Sequence, residues 1–149
     1  MVNIKIDTIL YATDFSESSV PACDHARYAA QLTGAKLHIL HVIGELTDQR
    51  RSMIHQEFFE SFAQKIEQQA IHDMEGFRAA HFEDIDRVEC HTVIGNPFQE
   101  IMKRAEQFDA DLIIMGTHGR TGIEHVLVGS TAERVVRNSN IPVLTVRAR

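Results

Sequence analysis

The residues best suited to chemistry lie between Asp111 and Val136, where the chain reads DLIIMGTHGRTGIEHVLVGSTAERVV. An apolar run from Leu112 to Met115 stops at Gly116, Gly119 and Gly122 follow, and Gly129-Ser130-Thr131 opens a helical pattern. Glycine lets backbone come close to a ligand. A helix N-terminus offers N–H groups without intrahelical partners and about half a positive charge. A strand, a glycine-rich loop and a helix start are together the parts of a phosphate cradle. The segment contains no G-x-x-x-x-G-K-[ST] loop. Its glycines also lack the spacing of a dinucleotide fingerprint, and they sit far from the first strand–helix unit. A bare glycine triad would equally suit a connection that needs positive φ angles. The Gly129-Ser130-Thr131 step after a strand tips the reading toward phosphate.

Several side chains around this segment carry two readings. Ser130-Thr131-Ala132-Glu133 has the form of a capping box, in which the Ser130 hydroxyl accepts from the Glu133 amide; the same hydroxyl can turn to a phosphate. Asp14 follows an apolar strand and is either a cap or Asx turn before Glu17, or a carboxylate for ribose hydroxyls. Arg120 either neutralises phosphate charge or is solvated, and His118 either donates to a phosphate or faces water. Nine histidines raise the question of metal, yet none forms H-x-x-x-H or H-E-x-x-H. His38 and His41 are three apart on a short strand and point to opposite faces. No structural zinc site is expected. Any divalent ion would arrive as magnesium on nucleotide phosphates. Ser16, Ser18 and Ser19 lack a G-x-S-x-G context, and no pair of carboxylates divides into acid and base, so no catalytic residue is assigned.

The elements that must position these groups alternate strand and helix. Thr8 to Thr13 reads as a strand, and Glu17 to Leu32 as a helix with Val20, Cys23, Ala26 and Ala30 on one stripe, ended by Gly34. Lys36 to Val42 is a second strand and Gly44 to Arg51 a polar loop. Ile54 to Ala80 is a long helix whose Ile54, Phe58, Phe62, Ile66, Ala70 and Met74 repeat at i+4, the spacing of a core stripe. Arg87 to Val93 alternates weakly, as an edge strand does. Asn96-Pro97 starts a helix, with Asn96 as cap, Pro97 at the first position and Gln99 at the third. Asp111 to Met115, Ser130 to Asn138 and Val143 to Val146 supply strand, helix and strand. Five strands separated by helices imply a parallel sheet covered on both faces, with a ligand beyond the strand C-termini where chain order reverses.

The chain has 149 residues and a net charge of −6. This length suits one domain, residues 1–149, with a sizeable core. The acidic balance argues against nucleic acid or a membrane surface as partner. Cys23 and Cys90 form no C-x-x-C pair and no disulfide framework, which points to a reducing, cytoplasmic setting. No apolar run approaches the length of a membrane span.

The Gly116, Gly119, Gly129-Ser130 spacing resembles that of the universal stress protein family, in its ATP-binding branch. Ile9-Leu10-Tyr11-Ala12-Thr13-Asp14-Phe15-Ser16 looks like that family's first strand and turn, and Pro142-Val143-Leu144-Thr145-Val146 like its last strand. The resemblance covers nearly the whole chain and is weakest from Gly44 to Glu89. It implies a five-stranded doubly wound α/β sheet of order 3-2-1-4-5. It also implies ATP as ligand, with Mg2+ on the phosphates, acting as a conformational ligand of a stress-response protein. Ala12, Thr13, Asp14 and Val42 would serve the nucleoside, Asp14 through ribose hydroxyls and Val42 through backbone at the adenine edge. Met115 and Gly116 would line the ribose region. His118, Gly119, Arg120, Gly129, Ser130 and Thr131 would hold phosphates. Ala12 stands where the family often has proline, which costs turn rigidity but no ligand group. The resemblance further implies a homodimer through Val143–Val146, an apolar β-branched edge that invites pairing. Two alternatives stand beside this reading: a non-nucleotide dimeric interaction protein of the same fold, whose members tend to lose the glycine pattern kept here, and a slow ATPase.

Overall fold

The computed structural model describes residues 2–44, 56–118 and 128–148. Its strands are β1 (Thr8–Ala12), β2 (Lys36–Gly44), β3 (Val88–Gly95), β4 (Leu112–Gly116) and β5 (Val143–Val146). Its α-helices are α1 (Val20–Thr33), α2 (Gln56–His81), α3 (Pro97–Gln107) and α4 (Ser130–Asn138). The five strands form one sheet in the order β3-β2-β1-β4-β5, all pairs parallel. The expected α/β architecture is therefore the observed one.

Side chains alternate across the sheet, so each strand feeds two cores. Ile9, Tyr11, Leu37, Ile39 and Ile114 face Ala22, Cys23 and Ala26 of α1 and Met74 of α2. Leu10, Leu40, Ile113 and Met115 face Ile101 and Ala105 of α3 and Ala132 and Val135 of α4. Ile9, Leu10 and Tyr11 of the central strand have no exposed surface. This is why TILYA reads as a continuous apolar run rather than an alternating one.

Local signals act where the sequence put them at two helix boundaries. Gly34 closes α1 in the left-handed region at φ 70°, donating to the Ala30 carbonyl. Asn96 caps α3, its Oδ1 accepting from the Gln99 amide at 3.1 Å, with Pro97 following. Two other expectations are corrected. The first helix, expected from Glu17 with Ser16 or Asp14 as its cap, begins as a 3-10 turn, Glu17–Ser19, before α1, and Ser16 at the N-cap of that turn makes no side-chain cap bond. The stripe along α2 is only half core: Ala70 and Met74 are buried, whereas Phe58 is 73% and Phe62 48% exposed. With 26 residues α2 spans roughly 39 Å, while the nine residues of β2 span roughly 30 Å. The helix is longer than the strands it packs on, so the sheet cannot cover its whole length. Ile54 lies outside the described residues.

No described helix is long and apolar enough to cross a membrane.

Candidate functional site

The C-terminal ends of β1 and β4 lie side by side, Ala12 in register with Met115. From β1 the chain turns away toward α1 on one face, and from β4 it leads to α4 on the other. A crevice opens where these exits diverge. It encloses about 250 Å3 and is lined by Ala12, Thr13, Asp14, Leu40, Val42, Met115, Gly116, His118, Gly129, Ser130 and Thr131, with Ser19, Pro97, Ile101, Thr117 and Ala132. The crevice thus gathers every candidate ligand residue from the sequence except Gly119 and Arg120, which lie outside the described residues together with Gly122.

The floor at β1 is held by a polar network. The Thr13 amide donates to the Leu40 carbonyl at 2.9 Å, tying the strand end to β2. The Thr13 hydroxyl accepts from the Phe15 amide at 3.1 Å and donates to Ser19 Oγ at 3.2 Å. Ser19 Oγ in turn donates to the Ser16 carbonyl at 2.6 Å. Asp14 Oδ1 accepts from the Ser16 amide at 3.0 Å, an Asx turn. The carboxylate therefore shapes the loop and at the same time lines the crevice. Phe15 sits at φ 63°, uncommon for a residue with a side chain. Its ring is stacked on His41 at 4.3 Å and packed against Phe77 at 5.3 Å, which holds the turn in this conformation. His41 Nδ1 also lies 2.9 Å from the Thr13 carbonyl. Burial pushes the Tyr11 phenol well above its ordinary pKa, so the ring beneath this network is neutral.

The opposite wall is the start of α4. Gly129 is its N-cap, with φ −67° and ψ 156°, and no side-chain cap bond is made. Glu133 donates its amide to the Gly129 carbonyl. The capping box expected at Ser130 is accordingly not formed: Ser130 is the first helical residue, one position too late for its hydroxyl to reach the Glu133 amide as an N-cap does. The amides of Ser130, Thr131 and Ala132 come before the first helical hydrogen bond and have no intrahelical partner. All three residues line the crevice, which places the positive end of the helix dipole at its wall.

Gly129 owes its identity to proximity. Its φ is negative, so no left-handed conformation requires glycine here. Its amide donates to the Thr117 carbonyl, and a Cβ would stand 2.9 Å from that same oxygen. At Gly116 an added Cβ would make only ordinary contacts, the nearest 3.5 Å away at the His118 carbonyl. His118 Nδ1 lies 3.0 Å from Thr117 Oγ1, and the Ser18 hydroxyl reaches the His118 carbonyl at 3.4 Å.

Thr117, Ser19, Leu40, Pro97, Ile101 and Ala132 were not among the ligand residues expected from the sequence. Thr117 is adjacent to Gly116, and that adjacency is a usable signal. The others come from β2, from the turn before α1, and from α3 and α4, and meet only through the packing of these elements, for which the linear sequence carries no mark.

The Universal stress protein family model matches residues 5–147. Universal stress protein MJ0577 of Methanocaldococcus jannaschii is 33% identical over 161 aligned residues, covering 99% of this chain and 99% of its own length. The solved structure of MJ0577 superposes with a TM-score of 0.86 at 36% identity, covering 98% of this chain and 99% of that one. A universal stress protein solved in complex with cAMP superposes with a TM-score of 0.64 at 26% identity, covering 97% and 99%. With its sheet order, its crevice at the ends of β1 and β4 and these matches, the chain belongs to the universal stress protein family.

Proposed function

We propose that this chain binds ATP in the crevice, with Mg2+ on the phosphates, and that the nucleotide acts as a conformational ligand of a stress-response protein. The observation that carries the reading is the start of α4, whose Ser130, Thr131 and Ala132, with amides that have no intrahelical partner, line the same crevice as Asp14. Residues 1–149 would work as one nucleotide-binding unit. Phosphate would meet the Ser130, Thr131 and Ala132 amides and the Ser130 hydroxyl, with Gly119 and Arg120 completing the loop side and His118 at its edge. Asp14 would accept from ribose hydroxyls near Ala12, Thr13, Met115 and Gly116, and Val42 would meet the base. The hydroxyl and carboxylate oxygens of the crevice suit Mg2+, a hard ion that would neutralise phosphate charge and keep several waters. The family member solved with cAMP supports an adenine nucleotide in this fold.

Among the described lining residues, Asp14 and His118 are the titratable ones. Asp14 is committed to its turn and His118 is beside Thr117, so neither is assigned as a base. Turnover should lie far below about 10 s⁻¹, which steady-state phosphate release measures directly.

The proposal extends to a homodimer through β5. That strand is at one edge of the sheet, and Leu144 on it is 38% exposed. Two copies meeting antiparallel would form a self-complementary contact.

Mass spectrometry of the gently denatured purified protein tests the nucleotide. The expected result is a co-purifying adenine nucleotide, with calorimetry showing tighter binding of ATP than of AMP or cAMP. No released nucleotide and no heat with any of the three would favour an interaction protein of the same fold instead.

A further inference from the structure

At the other end of β2 from the crevice, a second group of side chains converges. Parallel pairing puts His38 in register with Glu89, and Leu40 with His91. His38, Glu89 and His91 therefore emerge from one face of two adjacent strands. His38 Nδ1 and His91 Nε2 lie 2.9 Å apart. Glu89 Oε2 is 3.6 Å from the first nitrogen and 3.9 Å from the second. Tetrahedral zinc, with bonds of about 2.0–2.2 Å, requires donors about 3.3 Å apart. Each side of the observed triangle is within roughly 0.6 Å of that spacing, which rotamer adjustment supplies.

We infer that His38, Glu89 and His91 form a divalent transition-metal site of the zinc class, completed by water. Two features orient the donors. Phe108, just after α3, stacks on both imidazoles, at 4.1 Å from His38 and 4.6 Å from His91, fixing their ring planes. Lys36 Nζ holds Glu89 Oε1 at 2.7 Å, which turns Oε2 toward the rings. Such outer partners set ligand orientation in metal sites. Access is also provided: the His38 side chain is 6% exposed, but those of His91 and Glu89 are 23% and 51% exposed. An ion can enter over β3, the edge strand, and keep a water in the open position.

The donor set selects the metal. Lys36 balances the Glu89 charge and Arg104 lies on the same side, so the site has little net negative charge to attract calcium or magnesium. Two imidazole nitrogens favour a borderline-soft ion. Burial lowers the pKa of both imidazoles, which leaves them neutral at neutral pH. Without metal, one ring donates N–H to the other. On binding, that ring moves its proton to its other nitrogen, both facing nitrogens offer lone pairs, and no proton is released from the pair. None of His38, Glu89 and His91 lines the nucleotide crevice; Leu40, its nearest lining residue on β2, is two residues from His38, roughly 7 Å along the strand, so the two sites share a strand but no residue.

The test is titration of the chelator-treated full chain with Zn2+ by calorimetry, and with Co2+ by visible absorption. The expected result is one ion per chain and the strong absorption of four-coordinate Co2+, without competition from Mg2+ or Ca2+. His91→Ala should weaken Zn2+ binding by at least about tenfold, and Glu89→Gln should weaken it less. Both positions are partly exposed; thermal melting of the metal-free variants checks that they fold. Glu89→Gln provides the comparison if His91→Ala melts early. Unchanged affinity in these variants, with wild-type melting, would move the ion to other histidines and overturn the site, as would no binding by the wild type.

Discussion

The amide of Gly129 donates to the carbonyl of Thr117, and the same carbonyl occupies the space where a side chain at residue 129 would begin. This contact joins the exit of β4 to the first turn of α4. A Cβ would stand 2.9 Å from a backbone oxygen rather than from the end of a flexible side chain. Gly129→Ala should therefore destabilise the protein without nucleotide, by about 1–3 kcal/mol as for other overpacked sites. It should also weaken ATP binding at least tenfold, about 1.4 kcal/mol or more. Thermal melting and calorimetry check the two effects, and a variant with wild-type melting would show that the contact yields easily.

Ser130→Ala separates ligand binding from folding more cleanly. Ser130 is exposed and makes no cap bond, so the melting temperature without nucleotide should hardly move. Loss of a hydrogen bond to a charged phosphate, about 1.5–3 kcal/mol, should lower ATP affinity by about tenfold or more. Retained affinity would remove Ser130 from the phosphate site.

Asp14→Asn examines the ribose end. The Asx turn uses Oδ1, which accepts from both the amide and the hydroxyl of Ser16. Asparagine has the equivalent oxygen, so the turn survives, while charge-assisted bonds to ribose weaken. Melting should be nearly unchanged and ATP affinity lower. The opposite pattern, early melting with affinity kept, would make Asp14 a loop-shaping residue alone.

For assembly, the orientation of β5 decides the experiment. The carbonyls of Pro142 and Val146 accept from Ile113 and Thr117, so by parallel alternation Val143 and Thr145 turn their backbone groups to the open edge. Thr145→Pro removes an outward donor and leaves the ladder to β4 intact. Light scattering should report a dimer for the wild type and a single chain for the variant, with similar helix content. A wild-type mass of one chain would rule out the dimer, and a dimeric variant would put the interface elsewhere.

A last expectation concerns Cys23. It is fully buried in α1 against the core, and burial pushes its thiol up to about 12. Reactivity needs thiolate and access, so an aromatic disulfide reagent at pH 8 should label Cys23 only as fast as the protein unfolds. Two thiols labelled within mixing time in native buffer would contradict this burial.

Patterns of adjacent residues were legible from the sequence because their physics is local. Gly34 ends a helix because glycine tolerates the left-handed region, and Asn96-Pro97 starts one because an amide oxygen reaches a nearby N–H. Apolar runs between helical stripes were enough to imply the parallel sheet, and the glycine spacing with the Asp14 turn resembled the family that the comparisons identify. Tertiary structure decided what depends on distance. Ser130 carries capping-box letters, yet the path of the chain over Thr117 makes Gly129 the cap. Phe58 and Phe62 have core spacing, but α2 is longer than the sheet that could cover it. His38 and His91, more than fifty residues apart in the chain, meet only through the β2–β3 register. Strand register pairs residues by backbone hydrogen bonding across the sheet, and spacing along a single strand carries no record of it.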